Sequence, residues 1–208
     1  MRSPSPPKTV TVAFWTGGRP NELAAVKWGD VDTARGIVRI RAGRYRGKEG
    51  PPKTASSVRD LDLLPAVVEA LKAQEAQQAA ERLKRGGGAP ETGQDYVFTG
   101  PEEGLLNVNA LRDSYWYPTL TKAGLSRRTM YQTRHTFASN ALAAGESPSW
   151  VAEMLGHASP EMLFRVYARY IPNRTRRDGS ALLHRMAATE TVTKPAEEGA
   201  AELPKYSR

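Results

Sequence analysis

The chain contains no cysteine among its 208 residues, which excludes disulfides, a thiolate nucleophile and any cysteine-held metal. Metal binding is left to carboxylates and histidine, and three histidines are too few for a dedicated zinc site. No apolar run approaches the roughly 18 residues that a membrane-spanning helix takes. The opening stretch, Met1 to Val10, lacks the apolar core that a secretory signal needs. Positive charge, by contrast, is in excess, with a formal net charge of +8. It is clustered. Residues 1–60 hold twelve basic and five acidic side chains, 61–110 hold four and eight, 111–178 ten and five, and 179–208 four of each. Two basic segments flanking an acidic one suit a polyanion, because each neutralised phosphate releases condensed counterions. A solvated basic surface is the plainer alternative.

Periodicity predicts a mainly α protein with a small antiparallel β-sheet, an α+β class. Residues 1–9 are rich in Pro and Ser and are expected to be unstructured. Val10 to Trp15 is apolar and breaks at Thr16-Gly17-Gly18. Pro20 suits the first turn of a new helix, with Glu22 near the positive end of its dipole and Leu23, Val26 and Lys27 at helical spacing until Trp28-Gly29-Asp30. Residues 36–41 and 58–63 alternate like half-buried strands. The Gly-, Pro- and Arg/Lys-rich stretch from Arg44 to Pro52 is expected to be a mobile loop. A long helix opens at Pro65 and stops at Gly86-Gly87-Gly88. A loop over 89–104, with a short strand at Tyr96–Phe98, precedes helices at 107–123, 132–144, 148–155 and 159–168. Gly145 and Gly156 stand at the C-terminal caps, and Ser147-Pro148 starts a helix. A short helix over 179–188 and a disordered Glu/Ala/Pro-rich tail over 189–208 complete the reading.

Four places can carry chemistry. Arg19 follows a Gly turn at a helix start, where its fork can meet an anion or lie beside a capped helix. Lys53 stands in a loop leading into a strand, and by itself reads as a solvated charge. Tyr131 and Arg134 are three apart on a helix and share a face, with Phe137, Ala138 and Ala141 on the buried side. A half-buried Arg134 needs an anionic partner, either a structural carboxylate or a bound phosphate. Finally, Leu155-Gly156-His157 makes a tight turn, and Tyr167 rides the following helix. Either could be core packing, or both could converge on one bound group.

Taken in order, these places resemble the phage-integrase family of tyrosine recombinases. That pattern is an Arg after a Thr-Gly turn with Glu three residues on, a Lys in a β-hairpin, His-x-x-Arg-His, Leu-Gly-His and a Tyr nine or ten residues later. Here it reads Arg19 with Glu22, Lys53, Arg134-His135, Leu155-Gly156-His157 and Tyr167. Lys27 to Asp32 is similar to the family's Arg-Trp-x-Asp-Ile-Asp. The resemblance spans residues 10–172, within a catalytic domain expected over 10–188. Tyr131 stands where the family has His, and because His157 to Tyr167 spans ten residues, Tyr170, one turn beyond, is the alternative nucleophile. Less of the chain than usual precedes Arg19, so the first helix of that domain is expected to be missing.

The resemblance implies a site-specific DNA recombinase or integrase of a phage or other mobile element, working in a prokaryotic cytoplasm. Tyr167 would attack a phosphate and form a 3′-phosphotyrosyl ester. Arg19 and Arg134 would hold the phosphate oxygens, His157 would donate to them, and Lys53 would protonate the leaving 5′-oxygen. Tyr131 and Glu22 are the accessory candidates. Arg44, Arg46, Lys48, Arg127 and Arg128 are the candidate DNA contacts. No metal or other cofactor and no membrane is implied. The partners are double-stranded DNA and three further copies in a homotetramer, stitched by exchange of a segment around 178–188. The alternatives are a truncated or degenerate relative that binds DNA without recombining it, a relaxing enzyme like type IB topoisomerases, and a plain basic helical protein.

Overall fold

The two alternating stretches pair with each other in the computed structural model. Strands β1 (Val31–Asp32), β2 (Ile37–Ile40) and β5 (Arg59–Asp62) form an antiparallel sheet in the order β1-β2-β5, with Val38 opposite Leu61 and Ile40 opposite Arg59. Successive residues of a strand face opposite sides, so Val38, Ile40, Leu61 and Leu63 enter the core while Asp60 and Asp62 face out. The structure describes residues 7–45, 48–52, 54–84, 86, 95–100 and 105–170, all within the first of two units, Met1–Pro172. Arg46, Lys53, the helix expected at 179–188, the exchange segment at 178–188 and the tail at 189–208 lie outside those residues.

Helix α1 (Lys8–Thr16) starts earlier than the unstructured opening expected up to residue 9. The Pro7 carbonyl accepts the Val10 N–H at 2.8 Å, and burial of Thr9, Val10, Val12 and Ala13 fixes the helix against α3 (Pro65–Lys84) and α6 (Gln132–Ala144). Helix α2 (Pro20–Leu23) is shorter than its periodicity predicts. Val26 and Trp28 are drawn out of it instead, accepting from the Val97 N–H and donating to the Asp95 carbonyl, each at 2.9 Å. In place of a strand at Tyr96–Phe98 there are therefore single bridges, Lys27 with Tyr96 and Thr99 with Leu105. Gln78 of α3 holds this region, accepting from Trp28 Nε1 at 2.8 Å and donating to the Tyr96 and Val97 carbonyls at 3.2 Å.

The mobile loop expected from Arg44 is a hairpin, β3 (Gly43–Tyr45) paired with β4 (Lys48–Gly50). What orders it is distant in sequence. The Arg44 guanidinium stacks 4.3 Å over the Tyr96 ring, and Glu49 accepts hydrogen bonds from both Tyr96 and Lys27. The helix expected over 107–123 is continuous but changes pitch. α4 (Val108–Leu111), capped by the Asn107 side chain, passes through a π-helical stretch at Arg112–Trp116 into α5 (Tyr117–Lys122). Three helices finish the described chain: α6, α7 (Pro148–Leu155) and α8 (Pro160–Tyr167), the last running into a 3-10 turn, Ala168–Tyr170. Val12, Leu23, Phe137, Leu142, Val151, Leu155 and Leu163 join the sheet residues in one core, and Val10, Trp116, Leu120 and Met130 form a smaller one. No described helix is long and apolar enough to cross a membrane.

Candidate active site

The turn after α1 sets the site. Gly17 has φ +66°, a left-handed conformation that side chains rarely adopt, and an added Cβ would lie 2.6 Å from Phe137 Cδ1 and 2.8 Å from Leu155 Cδ2. Glycine therefore lets the turn seat against α6 and α7. So seated, its carbonyl accepts a hydrogen bond from Arg134 Nη1 at 3.1 Å. Arg134 is 1% exposed, and its Nη2 is buried without a hydrogen-bond partner among the described residues. An unpaired buried donor costs on the order of 1–3 kcal/mol. Burial first, then the Arg19 charge, bring the pKa of this guanidinium down to about 10.

Arg19 caps α2. Its backbone N–H donates to Glu22 Oε2 at 3.0 Å and its guanidinium to Oε1 of the same carboxylate, so Glu22 is the acceptor of a capping pair. A second arginine shares that carboxylate. Arg59 Nη2 donates to Glu22 Oε2 at 2.9 Å, while Arg59 Nε donates to the Met154 carbonyl at 2.8 Å. Burial would raise the Glu22 pKa, but Arg59 and Arg19 together hold it below the usual carboxylate range. Burial would likewise lower the Arg19 pKa, and the Glu22 carboxylate raises it instead. Arg19 Nη1 also lies 3.5 Å from Ser57 Oγ, which shares a 2.9 Å hydrogen bond with Thr54. The segment just after Lys53 is thus anchored beside Arg19.

His157 follows Gly156, the left-handed C-cap of α7, and its N–H bonds to the Ala152 carbonyl at 2.9 Å. Gly156 is forced by a close approach, since a Cβ there would stand 2.9 Å from both Arg59 Nη1 and the Ser56 carbonyl. The same residues, with Asp60, Ser149, Glu153 and Ser159, line a cleft of about 350 Å³. His157 Nδ1 is buried with no hydrogen-bond partner among the described residues. Burial, then the charges of Arg134, Arg19 and Arg59, lower its pKa to about 4.

Tyr167, at the end of α8, is 3% exposed, and its hydroxyl lies 2.5 Å from His135 Nδ1. Burial pushes the phenol up and Arg134 pulls it down, with a net rise. His135 moves the other way, lowered by burial and by Arg134. Tyr131, 41% exposed, packs edge-on against the His135 ring at 5.3 Å and interacts with the Arg19 guanidinium. Tyr170, one turn beyond, interacts with Tyr167 but stacks on Arg169.

Arg19, Glu22, Tyr131, Arg134, His157 and Tyr167 thus form one electrostatically coupled group. Arg44 does not belong among exposed cations. It is 5% exposed, covered by Tyr96, and donates to the Ala24 carbonyl, so its guanidinium is committed to holding the hairpin rather than free to meet DNA. Lys48, Arg127 and Arg128 are exposed, with Arg127 stacked 3.9 Å over Tyr117. Two residues at the site, Arg59 and His135, were given no role by sequence reasoning, although His135 stands in the matched motif, and each carried a signal. Arg59 shares the strand phase of Leu61 and Leu63, which points it inward. His135 is four residues after Tyr131, hence on its helix face.

The arrangement of two arginine forks, a buried imidazole nitrogen and a tyrosine hydroxyl suits in-line attack on a phosphodiester. Comparison with known proteins supplies the family and the fold. A model of the phage integrase family matches residues 8–174. Prophage integrase IntR of Escherichia coli (strain K12) is 33% identical over 172 residues, covering 76% of this chain and 42% of that protein. The chain spans less than half the length of the curated relatives it matches. Among solved structures, the Tn1549 transposon integrase in complex with circular intermediate DNA aligns with a TM-score of 0.63 at 19% identity, over 87% of this chain and 59% of that one. XerA recombinase aligns at 0.60 and 22%, over 88% and 57%. At such identities the structures speak to fold, and the fold is that of tyrosine recombinase catalytic domains.

Proposed function

The chain belongs to the phage integrase family, and we propose that it cuts and rejoins double-stranded DNA through a covalent 3′-phosphotyrosyl intermediate on Tyr167. Arg134 carries this reading. Its guanidinium is fully buried and bonded on one side to the Gly17 carbonyl, while Nη2 has no hydrogen-bond partner among the described residues. A phosphate oxygen is the acceptor that such a donor lacks. The buried Nδ1 of His157, in electrostatic reach of Arg134, gives the same phosphate a second partner.

In this reading the Tyr167 oxygen attacks phosphorus in line and the P–O5′ bond breaks. Arg19 and Arg134 neutralise the charge that builds on the non-bridging oxygens. His157 takes up a proton as the phosphate neutralises its arginine neighbours and then donates to an oxygen. Lys53 supplies the proton of the leaving 5′-hydroxyl, a role carried over from the family pattern and supported by the anchorage of Thr54 and Ser57 beside Arg19. The ester keeps the bond energy, so a 5′-hydroxyl from another strand reseals it without a nucleotide cofactor or metal. Lys48, Arg127 and Arg128, with Arg46, contact the DNA backbone. The working assembly is a homotetramer on two duplexes in a prokaryotic cytoplasm.

A duplex nicked close to the cleavage point tests this, because the short product diffuses away and traps the ester. The full chain should leave a protein–DNA adduct that survives denaturation, and Tyr167→Phe should leave none while still binding the duplex. An adduct formed by Tyr167→Phe, or none formed by the parent, rejects the proposal.

A further inference from the structure

The attacking phenol must lose a proton, and neither arginine can receive one. The group in position to do so is an unassigned one, His135. We infer that His135 Nδ1 accepts the Tyr167 hydroxyl proton as the oxygen attacks phosphorus, and returns it when the strand is resealed. This role rests on the strand-transfer reading above.

Geometry carries the assignment. His135 Nδ1 and the Tyr167 oxygen are 2.5 Å apart, within hydrogen-bond reach for a proton transfer, between residues 32 apart in sequence on α6 and α8. The two rings are tilted at 45° with centroids 5.7 Å apart, so the contact is made through the nitrogen and not through stacking. Tyr131 holds the imidazole from the same helix face, edge-on at 5.3 Å. It is itself turned to Arg19, which leaves His135 as the base touching the nucleophile. His157 is less suited, because its Nδ1, without a hydrogen-bond partner among the described residues, lies among Arg134, Arg19 and Arg59, where a cation is disfavoured and an anion is wanted.

The protonation states agree. Tyr167 from α8, Arg134 beside it on α6, Tyr131 at the head of α6 and His157 from the turn after α7 are the titratable groups around His135, with Tyr170 beyond Tyr167. Burial and the Arg134 charge keep the imidazole neutral near pH 7, with a lone pair for the phenol hydrogen. In the forward step the O–P bond forms, P–O5′ breaks, and the phenol proton moves to Nδ1. The imidazolium so made is stabilised by the negative charge of the transition-state phosphoryl group. Resealing reverses each change, and no oxidant or further reactant is needed.

The test uses His135→Gln in the full chain, which keeps a hydrogen-bonding side chain but cannot titrate. Single-turnover adduct formation on the nicked duplex is followed from pH 6 to pH 9.5, with DNA affinity measured alongside. The variant should be slower by about a hundredfold at pH 7. Its rate should climb tenfold per pH unit as hydroxide replaces the missing base, while the parent stays flat above the imidazole pKa. A variant that cleaves at the parental rate, or one slowed equally at every pH, overturns the role of His135 and leaves the strand-transfer reading standing. A second reading needs no DNA: the ¹⁵N shift of His135 Nδ1 should move in Tyr167→Phe, and an unmoved signal also rejects the pairing. If the parent makes no adduct although that shift moves, the strand-transfer reading fails and the catalytic role falls with it.

Discussion

The Glu22 carboxylate lies 2.9 Å from Arg59 Nη2, and that ion pair is buried between α2 and β5 while also holding the Arg19 guanidinium. Three charged side chains, 19, 22 and 59, therefore share one site, with Glu22 as its acid. Glu22→Gln removes the carboxylate with which the buried Arg59 charge is paired. We expect it to lower stability by about 3 kcal/mol, read as a shift of the urea midpoint, and to reduce adduct formation because Arg19 loses its tether. A loss of activity with an unchanged midpoint contradicts the structural half of that expectation.

Gly17→Ala is expected to be at least as damaging. The substitution puts a Cβ into Phe137 and Leu155 and strains a left-handed φ, with a combined cost of about 3 kcal/mol. Gly50→Ala is the control, since its Cβ meets nothing within 4 Å. Thermal unfolding should separate the two clearly, and equal melting temperatures would show that the turn is not seated as described.

Stability should fall between pH 6.5 and pH 4. His157 drops from its ordinary 6.5 to about 4 in the folded chain, so over that interval the unfolded state binds the extra proton. Stability is then fully present above pH 6.5 and declines as pH falls. Glu22, depressed by Arg59 and Arg19, acts in the same direction further into acid. Unfolding curves of the parent and His157→Gln should converge as pH is lowered through this interval. Parallel curves would reject the depressed imidazole.

Salt dependence tests the outer surface. Arg127→Ala and Arg128→Ala should each weaken DNA binding without regard to sequence and reduce the slope of log affinity against log salt by about one. Arg44→Ala should instead loosen the hairpin over Tyr96, with a stability loss and little change in that slope. A slope unchanged by the first two substitutions removes this surface from the DNA contact.

Much of the fold was legible in local pattern. Alternation at 36–41 and 58–63 identified the paired strands, and Pro65, Pro148 and Gly156 marked helix ends that stand where expected. The hairpin was not legible, because Arg44 and Glu49 are ordered by Lys27 and by Tyr96, about fifty residues on. The order of the candidate residues along the chain was readable, but not who touches whom. Arg59 looked like one charge in a basic run, yet its acceptors lie at positions 22 and 154. His135 looked like the neighbour of an arginine, and only the packing of α8 on α6 brings the Tyr167 hydroxyl to it.

The depth at which residue 167 lies has a practical corollary for chemical footprinting. A nitrating or iodinating reagent arriving from solvent meets the phenols of Tyr45, at 68% exposure, and Tyr131, at 41%, before it meets Tyr167 at 3%. At that depth the Tyr167 ring is shielded from stray electrophiles. Labelling of that one ring would therefore report solvent reaching the end of α8.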